Sequence, residues 1–364
     1  MSSLYNDIID IFQSLEWQRA VMWLIGTILI FLAIKKKMEP TLLLPLGFGT
    51  IIVNLPFSYE GALTTLFKAG IDNELFPLLL FIGIGAMIDF GPILANPKLM
   101  IFGAAAQFGI FFTFSLASLF FDMNDAASIA IIGAADGPTA IFVAQHLNST
   151  YIGAIMVAAY SYMALVPIIQ PPVIKLLTSK KERCIRMPNE DTNVSKKTRI
   201  LFPIVVTFMT GIFAPTAIDL IGFLMFGNLI RECGVLNALS ETAQKVLANV
   251  ITILLGITIS TQMTAEKFVQ PATLLILSLG LVAFIVDTAG GVLLAKFINL
   301  FSKKKINPMI GAAGISAFPM SGRTVHKMGL SEDPENFLLM HSIGVNVSGQ
   351  IASVVAGAVI LSFM

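Results

Sequence analysis

The chain has 364 residues, of which 56% are hydrophobic and 12% charged, and its formal net charge is +1. Soluble proteins carry about 25% charged residues, so this composition and the mean hydropathy of +0.84 exclude an ordinary soluble domain. The near-neutral charge gives no case for nucleic-acid binding. Because apolar runs of about 20 residues recur along the chain, the sequence predicts an all-α polytopic membrane protein.

Taken in chain order, the apolar runs predict ten membrane spans. They are Arg19–Ile34, Pro40–Phe57, Phe76–Asp89, Leu99–Phe121, Tyr151–Leu177, Ile200–Phe213, Thr216–Ile230, Lys245–Gln262, Pro271–Leu300 and Phe337–Phe363. The more polar stretch Ser58–Glu74 predicts a surface loop or a short amphipathic helix. The basic segment 178–199 predicts a cytoplasmic linker between a first membrane repeat, 1–177, and a second, 200–364.

An interrupted element, Ser128–His146, precedes the fifth span and contains Asp136 in an apolar run. Gly133, Gly137 and Pro138 break any helix there, because glycine is flexible and proline lacks a backbone donor. The freed carbonyl groups and the carboxylate can then face one cation. The alternative is a surface loop in which Asp136 only caps a helix. Since intramembrane acids are costly, we predict an ion site.

A second interrupted element runs from Asn307 to Lys327. Asn307, Ser316 and Ser321 offer hard oxygen donors, which suit Na⁺ better than soft metals. Gly311 permits close approach of the backbone. Arg323 contributes a fixed positive charge, either as a topology anchor or as a direct participant in chemistry.

Other polar side chains lie inside predicted spans. Tyr160 and Tyr162 could donate a hydrogen bond or a proton, or could simply pack. Asp287 is a second intramembrane acid, either an ion ligand or the partner of a basic group. The final span carries polar residues that line a cavity or join helices, namely Asn346, Ser348 and Gln350.

The two halves resemble each other in sequence. Pro40-Thr41 recurs as Pro215-Thr216, at an offset of 175, and Ile131–Asp136 is echoed by Met309–Gly314 at an offset of 178. Two matches in order at nearly one offset favour an internal duplication. Chance similarity between alanine-rich helices is the alternative.

The distribution of charge predicts the topology. Lys35–Lys37 and the basic linker belong in the cytoplasm, and the acidic N-terminus outside. These placements agree with one another only if each half crosses the membrane five times and neither interrupted element spans it. The sequence therefore predicts two inverted repeats, each of about five helices plus one broken re-entrant element. The Asp136 element would enter from outside and the Asn307 element from the cytoplasm.

Three motifs, Gly133–Thr139, Phe81–Phe90 and Asn307–Arg323, resemble the β subunits of the biotin-dependent sodium-translocating decarboxylases. These act on oxaloacetate, methylmalonyl-CoA, glutaconyl-CoA or malonate. The resemblance covers nearly the whole chain and departs at Ser321-Gly322, where small apolar residues are expected. It implies a subunit that decarboxylates carboxybiotin with uptake of a proton and exports Na⁺ across the bacterial cytoplasmic membrane. The essential residues of the family match Asp136, Tyr162, Asn307, Gly311, Ser316 and Arg323.

The resemblance also implies partners: a carboxyltransferase subunit, a biotin-carrier subunit, a small γ-type membrane subunit and a homotrimeric β core. We expect Na⁺ at Asp136, with backbone oxygens around Gly137 and Thr139 and with Asn346. We expect a second sodium site at Ser316 and Asn307.

The proton route would pass near Tyr162, and Arg323 would hold the carboxylate of carboxybiotin. A stand-alone Na⁺-coupled carrier of inverted-repeat, elevator-like type is the alternative function. A purely structural membrane scaffold would leave Asp136 and Asp287 unexplained.

Overall fold

The computed structural model describes residues 16–55, 61–188 and 194–364, and within these ranges the chain is helical without strands. The acidic N-terminus on which the predicted topology partly rests lies outside the described residues. The helices of the first half are α1 (Trp17–Lys36), α2 (Pro40–Val53), α3 (Ala62–Gly70), α4 (Leu75–Met87), α5 (Gly91–Ala95), α6 (Met100–Ala106), α7 (Phe108–Ala117), α8 (Met123–Ala130), α9 (Gly137–His146) and α10 (Ile152–Leu177).

The later helices include the short α11 of the linker. They are α11 (Lys180–Arg183), α12 (Lys196–Phe213), α13 (Ile218–Glu232), α14 (Asn237–Glu241), α15 (Ala248–Ile259), α16 (Ala265–Phe268), α17 (Pro271–Phe301), α18 (Met309–Ala312), α19 (Met320–Glu332) and α20 (Leu339–Phe363). A π-helical turn, Thr242–Leu247, joins α14 to α15, and a 3₁₀ turn, Ile131–Ala134, follows α8.

Six helical segments of the described chain are long and apolar enough to cross a membrane, which confirms a multi-pass protein. They are Trp17–Lys36, Pro97–Ala117, Ile152–Leu177, Asn237–Gln262, Pro271–Phe301 and Leu339–Phe363. The pair α3 and α4, bent by 64°, makes a seventh if it is one span. The other predicted spans correspond to α2, α12 and α13, whose lengths and compositions do not identify them as crossings.

The helices pack in two groups. The first group contains α1 to α4 and α12 to α15, where α1 packs on α2, α2 on α15 and α4 on α13. The second contains α5 to α10 and α17 to α20, where α10 packs on α17, α6 on α20 and α7 on α17. Each group takes helices from both halves of the chain. The packing is also reciprocal. The repeated Pro-Thr pair begins α2 and precedes α13, and α4 and α15 each come two helices later. Helix α2 packs on α15 of the second half, and α13 packs on α4 of the first.

The first interrupted element is a hairpin, α8 followed by α9, with a turn at 131–136. Asp125 near its start accepts hydrogen bonds from Ser149 Oγ at 2.6 Å and from the Thr150 backbone N–H at 2.9 Å, both beyond its end. Its two ends therefore meet, and its turn forms the tip.

The second interrupted element, α18 with α19, is also closed at its base. The Nδ2 groups of Asn307, before α18, and of Asn336, after α19, each donate to the carbonyl oxygen of Arg183 at 2.8 Å. The Arg183 side chain pairs with Glu332 at 2.8 Å. The segment that follows Leu177 is thus fastened to the base of this hairpin.

The two bases lie at opposite ends of the molecule. Helix α10 begins just after the base of the first hairpin and ends just before Arg183 at the base of the second. Its 26 residues span about 39 Å at 1.5 Å per residue. The tips nevertheless meet, because the Ser316 backbone N–H donates to the Ala134 carbonyl oxygen at 2.9 Å.

Candidate functional site

A cavity of about 300 Å³ opens beside the hairpin tips, between the two packing groups. This volume is at the small end of the range for ligand pockets. Its charged lining residues are Glu39 from the first group and Asp136 and Arg323 from the second. Ser316 and Gln350 line it as well. The cavity therefore unites side chains from both hairpins and from the final helix.

Asp136 lies at the N-terminus of α9, and its side chain is buried, with the residue only 3% exposed. Its carboxylate accepts hydrogen bonds from Thr139 Oγ1 at 2.9 Å, Gln350 Nε2 at 2.8 Å and Ser353 Oγ at 2.8 Å. Asp136 therefore caps a helix, but inside the protein and beside a cavity rather than in a surface loop, and the ion site stays a prediction.

Ser316 and Asn346 carry further oxygen atoms, beside the residues that hydrogen-bond to this carboxylate. Ser316 Oγ hydrogen-bonds to Ser353 Oγ and to the Gly349 carbonyl oxygen, the latter at 2.9 Å. Asn346 Nδ2 donates to the Ile315 carbonyl oxygen at 2.7 Å, while Asn346 Oδ1 is buried without a hydrogen-bond partner in the described structure. A carboxylate, hydroxyl groups and a free amide oxygen form a donor set suited to a hard monovalent cation.

Ser353 is a site residue that the sequence analysis missed, and Gln350 was noted there only as part of a polar run. The signal was available. Asn346, Gln350 and Ser353 follow the spacing i, i+4, i+7, which brings them to one face of a helix. Ser348 lies off that face and donates to the Val345 and Leu99 carbonyl oxygens instead.

The two tyrosines of α10 point to different neighbours. The Tyr162 hydroxyl donates to the Leu277 carbonyl oxygen on α17. The Tyr160 ring packs against Gly137, since a Cβ built there would lie 2.4 Å from its Cζ atom. The Tyr160 hydroxyl is buried without a partner in the described ranges. Tyr160 is therefore the tyrosine beside the Asp136 turn, and the catalytic role of Tyr162 stays a prediction.

Asn307 and Gly311 lie away from Asp136 along the second hairpin. Asn307 is fully buried, and its Nδ2 group donates to the Arg183 carbonyl oxygen at 2.8 Å and to the Ile185 carbonyl oxygen at 2.9 Å. Gly311 packs on Gly291, whose carbonyl oxygen would lie 2.0 Å from a Cβ at position 311. These contacts hold the hairpin in position, and the predicted sodium-ligand roles of both residues stay predictions.

Asp287 of α17 supports the first hairpin from the other side. The backbone N–H of Gly109 donates to its Oδ1 atom, next to the break between α6 and α7. Its Oδ2 atom is buried and unpartnered in the described structure, and would lie 2.7 Å from a Cβ built at Gly133. Asp287 therefore contacts Gly109 and the Gly133 side of the turn at 131–136. Its ion-binding role stays a prediction.

Arg323 on α19 is exposed, lines the cavity and forms no ion pair with any residue in the described ranges. Glu39 approaches from the first group, in the turn between α1 and α2, with a positive φ of 34°. Burial raises the pKa of the Glu39 carboxyl above its usual range, and the positive charge of Arg323 opposes that rise.

The sequence model of the family described as "Na+-transporting oxaloacetate decarboxylase beta subunit" matches residues 18–364. The methylmalonyl-CoA decarboxylase subunit beta of Propionigenium modestum is 48% identical, with 96% of each chain covered. The glutaconyl-CoA decarboxylase subunit beta of Acidaminococcus fermentans is 48% identical, covering 97% of this chain and 95% of the relative. The oxaloacetate decarboxylase beta chain of Klebsiella pneumoniae is 44% identical, with 95% of each covered.

The matches span nearly the full length of the chain and of each relative, so they include both hairpins and the cavity between them. The apolar helices agree with a membrane subunit of this kind. The chain therefore belongs to the family of β subunits of sodium-transporting decarboxylases, and it is a multi-pass protein of the bacterial membrane.

Proposed function

We propose that this chain decarboxylates carboxybiotin and couples CO₂ release and proton uptake to export of Na⁺. The observation that carries the proposal is one cavity that holds two charged groups: the guanidinium of Arg323, which has no ion-pair partner among the described residues, and the hydrogen-bonded carboxylate of Asp136. The first can bind an anionic substrate and the second a cation.

Sodium binds at the hairpin tips in this proposal. Asp136 supplies the charge, the hydroxyl groups of Ser316 and Ser353 and the free Asn346 Oδ1 supply neutral oxygens, and backbone oxygens of Gly137–Thr139 complete the set. Broken helices suit this role, because their freed backbone groups can face an ion.

Carboxybiotin enters the cavity with its carboxylate toward Arg323. The planar guanidinium can hold a carboxylate through two parallel hydrogen bonds. In the described chain no carboxylate competes for it as an ion-pair partner, so the group is available to substrate. Tyr162 remains the proposed residue of the proton route, with Tyr160 closer to the ion-binding turn.

We further propose that the two halves are inverted repeats. The reciprocal packing of corresponding helices supports this, as does the separation of the two hairpin bases by the length of α10. The Asp136 hairpin then enters from outside and the Asn307 hairpin from the cytoplasm. Opposed hairpins that meet at their tips are a transporter architecture.

The names of the relatives describe subunits, so the proposed activity belongs to a complex. We propose that its other members are a carboxyltransferase, a biotin carrier and a small γ-type membrane subunit, around a trimeric core of this chain. Biotin reaches the site on the carrier, and the carboxyltransferase selects the acyl substrate.

The decisive experiment purifies the chain with its partners and measures CO₂ release from free carboxybiotin with and without Na⁺. We expect turnover that depends on Na⁺, with ²²Na uptake into inverted vesicles. Transport of ²²Na that needs no carboxybiotin would favour the alternative, a stand-alone Na⁺-coupled carrier. That alternative shares the hairpins and the ion site, so only the requirement for carboxybiotin separates the two functions.

A further inference from the structure

Glu39 is a cavity acid to which the proposed function gives no role. It belongs to the helix group that does not contain Asp136, and it lines the same cavity as Arg323. Its backbone φ is 34° and that of Lys37 is 54°, both in the left-handed region. Such conformations are uncommon for residues other than glycine and cluster at functional sites.

The two cavity acids differ in what their carboxyl groups touch. Asp136 accepts hydrogen bonds from Thr139, Gln350 and Ser353, which suits an ion-binding carboxylate. The Glu39 side chain has no hydrogen bond within the described ranges and does not cap α2. Glu39 is therefore the acid in this cavity that is free to exchange a proton with a bound molecule.

Decarboxylation of carboxybiotin requires a source of protons. When the bond between the ureido nitrogen and the carboxyl carbon breaks, the carbon leaves as CO₂ and the electron pair stays on the nitrogen. That nitrogen must then gain a proton. Arg323 would anchor the departing carboxylate, but a guanidinium remains protonated in proteins and cannot serve as the acid.

We propose that the Glu39 carboxyl donates this proton to the ureido nitrogen, as a catalytic residue of the decarboxylation. The step leaves Glu39 as a carboxylate, which regains its proton from water in the cavity before the next turnover. This inference rests on the carboxybiotin decarboxylase activity proposed above.

The surroundings of Glu39 suit a proton donor. Burial raises the pKa of its carboxyl group, which favours the protonated form, and the positive charge of Arg323 opposes that rise. The charged groups that face Glu39 are Arg323 from α19 and Asp136 across the cavity. Helix α15, which packs on α2, carries no titratable side chain, and Lys35–Lys37 on its own turn are exposed.

The test measures turnover of free carboxybiotin by the purified complex at saturating Na⁺, with ²²Na binding in parallel. Glu39→Gln should lower kcat on the order of 100-fold or more, the range typical of a lost general acid, and should leave ²²Na binding unchanged. Glu39→Ala should regain turnover in proportion to added formic acid, which can enter the space that the side chain leaves.

Glu266→Gln is the matched control. Glu266 is an acid that pairs with Arg19, roughly 25 Å along α1 from the Glu39 turn, and its variant should retain wild-type turnover. A Glu39→Gln enzyme with wild-type kcat and lower KM would overturn the proposal, because Glu39 would then only compete electrostatically for Arg323. Failure of formic acid to restore Glu39→Ala would also overturn it. An inactive wild-type complex would instead refute the proposed function itself.

Discussion

The backbone N–H of Ser316 donates a hydrogen bond to the carbonyl oxygen of Ala134 at 2.9 Å. These residues lie in the tips of two hairpins whose bases are at opposite ends of the molecule. Asp136 follows Ala134 by two positions, and Ser316 also hydrogen-bonds to Ser353, which donates to Asp136. One backbone contact thus joins the two hairpins at the proposed sodium site.

Asp136→Asn should abolish Na⁺-dependent decarboxylation while the complex still assembles. The amide preserves the shape of the side chain but removes the charge that attracts the cation. The measurements are ²²Na binding and CO₂ release, with gel filtration as the control for assembly. Undiminished Na⁺ uptake by the Asn variant would refute the ion site.

Ser353→Ala should weaken Na⁺ binding by roughly ten-fold to a hundred-fold, because it removes a hydrogen bond to a charged group worth on the order of 1.5–3 kcal/mol. Ser348→Ala on the same helix is the matched control, since Ser348 bonds to the carbonyl oxygens of Val345 and Leu99. The affinities are read from ²²Na binding isotherms. Equal affinities for the two variants would remove Ser353 from the site.

Arg323→Lys distinguishes a substrate-binding role from topological anchoring. Lysine keeps the charge but loses the planar fork that matches a carboxylate. We expect turnover of carboxybiotin to fall by roughly ten-fold to a hundred-fold, since one charge-assisted hydrogen bond is worth about 1.5–3 kcal/mol. Binding of ²²Na to the resting protein should persist. Wild-type turnover of the Lys variant would assign Arg323 to anchoring alone.

Asn307→Ala should destabilise the protein, because it leaves the Arg183 and Ile185 carbonyl oxygens without this buried donor, at a cost of about 1–3 kcal/mol. Thermal denaturation of the complex in detergent checks this. Asn336→Ala is the comparison, because Asn336 donates to the same Arg183 oxygen. If the folded Asn307→Ala protein instead binds ²²Na ten-fold more weakly than Asn336→Ala, Asn307 is a sodium ligand as the sequence predicts.

Accessibility of introduced cysteines tests the inverted repeats. Lys181 and Asn73 are both exposed. Lys181 follows the C-terminal end of α10, whereas Asn73 lies near the base of the first hairpin, where Gln145 donates to the Ile71 carbonyl oxygen. With Cys184 and Cys233 first replaced by serine, a cysteine at position 181 should react only from the cytoplasm. A cysteine at position 73 should react only from outside. Labelling of both from one face would contradict the proposed five crossings per half.

The interrupted elements show how far local sequence carries a prediction. Gly137 and Pro138 cannot continue a helix, and Asp136 suits an N-cap, so the break and its cap were predictable. For the more polar stretch Ser58–Glu74, polarity alone left a surface loop and a short amphipathic helix as alternatives, and the structure has the helix Ala62–Gly70.

The sequence by itself determined properties that depend on composition and local conformation. These are the membrane class, the positions of most helices, the two helix breaks, and the family through its motifs. Only the tertiary structure decided which polar residues share the Asp136 site. Ser353 and Gln350 reach it because α20 turns that face toward the first hairpin, while Asn307 is held at the far end of the second. Glu39 is 97 residues from Asp136 in sequence and enters the cavity only because two packed groups of helices meet there. Contacts of this kind depend on the arrangement of whole helices, which no local pattern in the chain encodes.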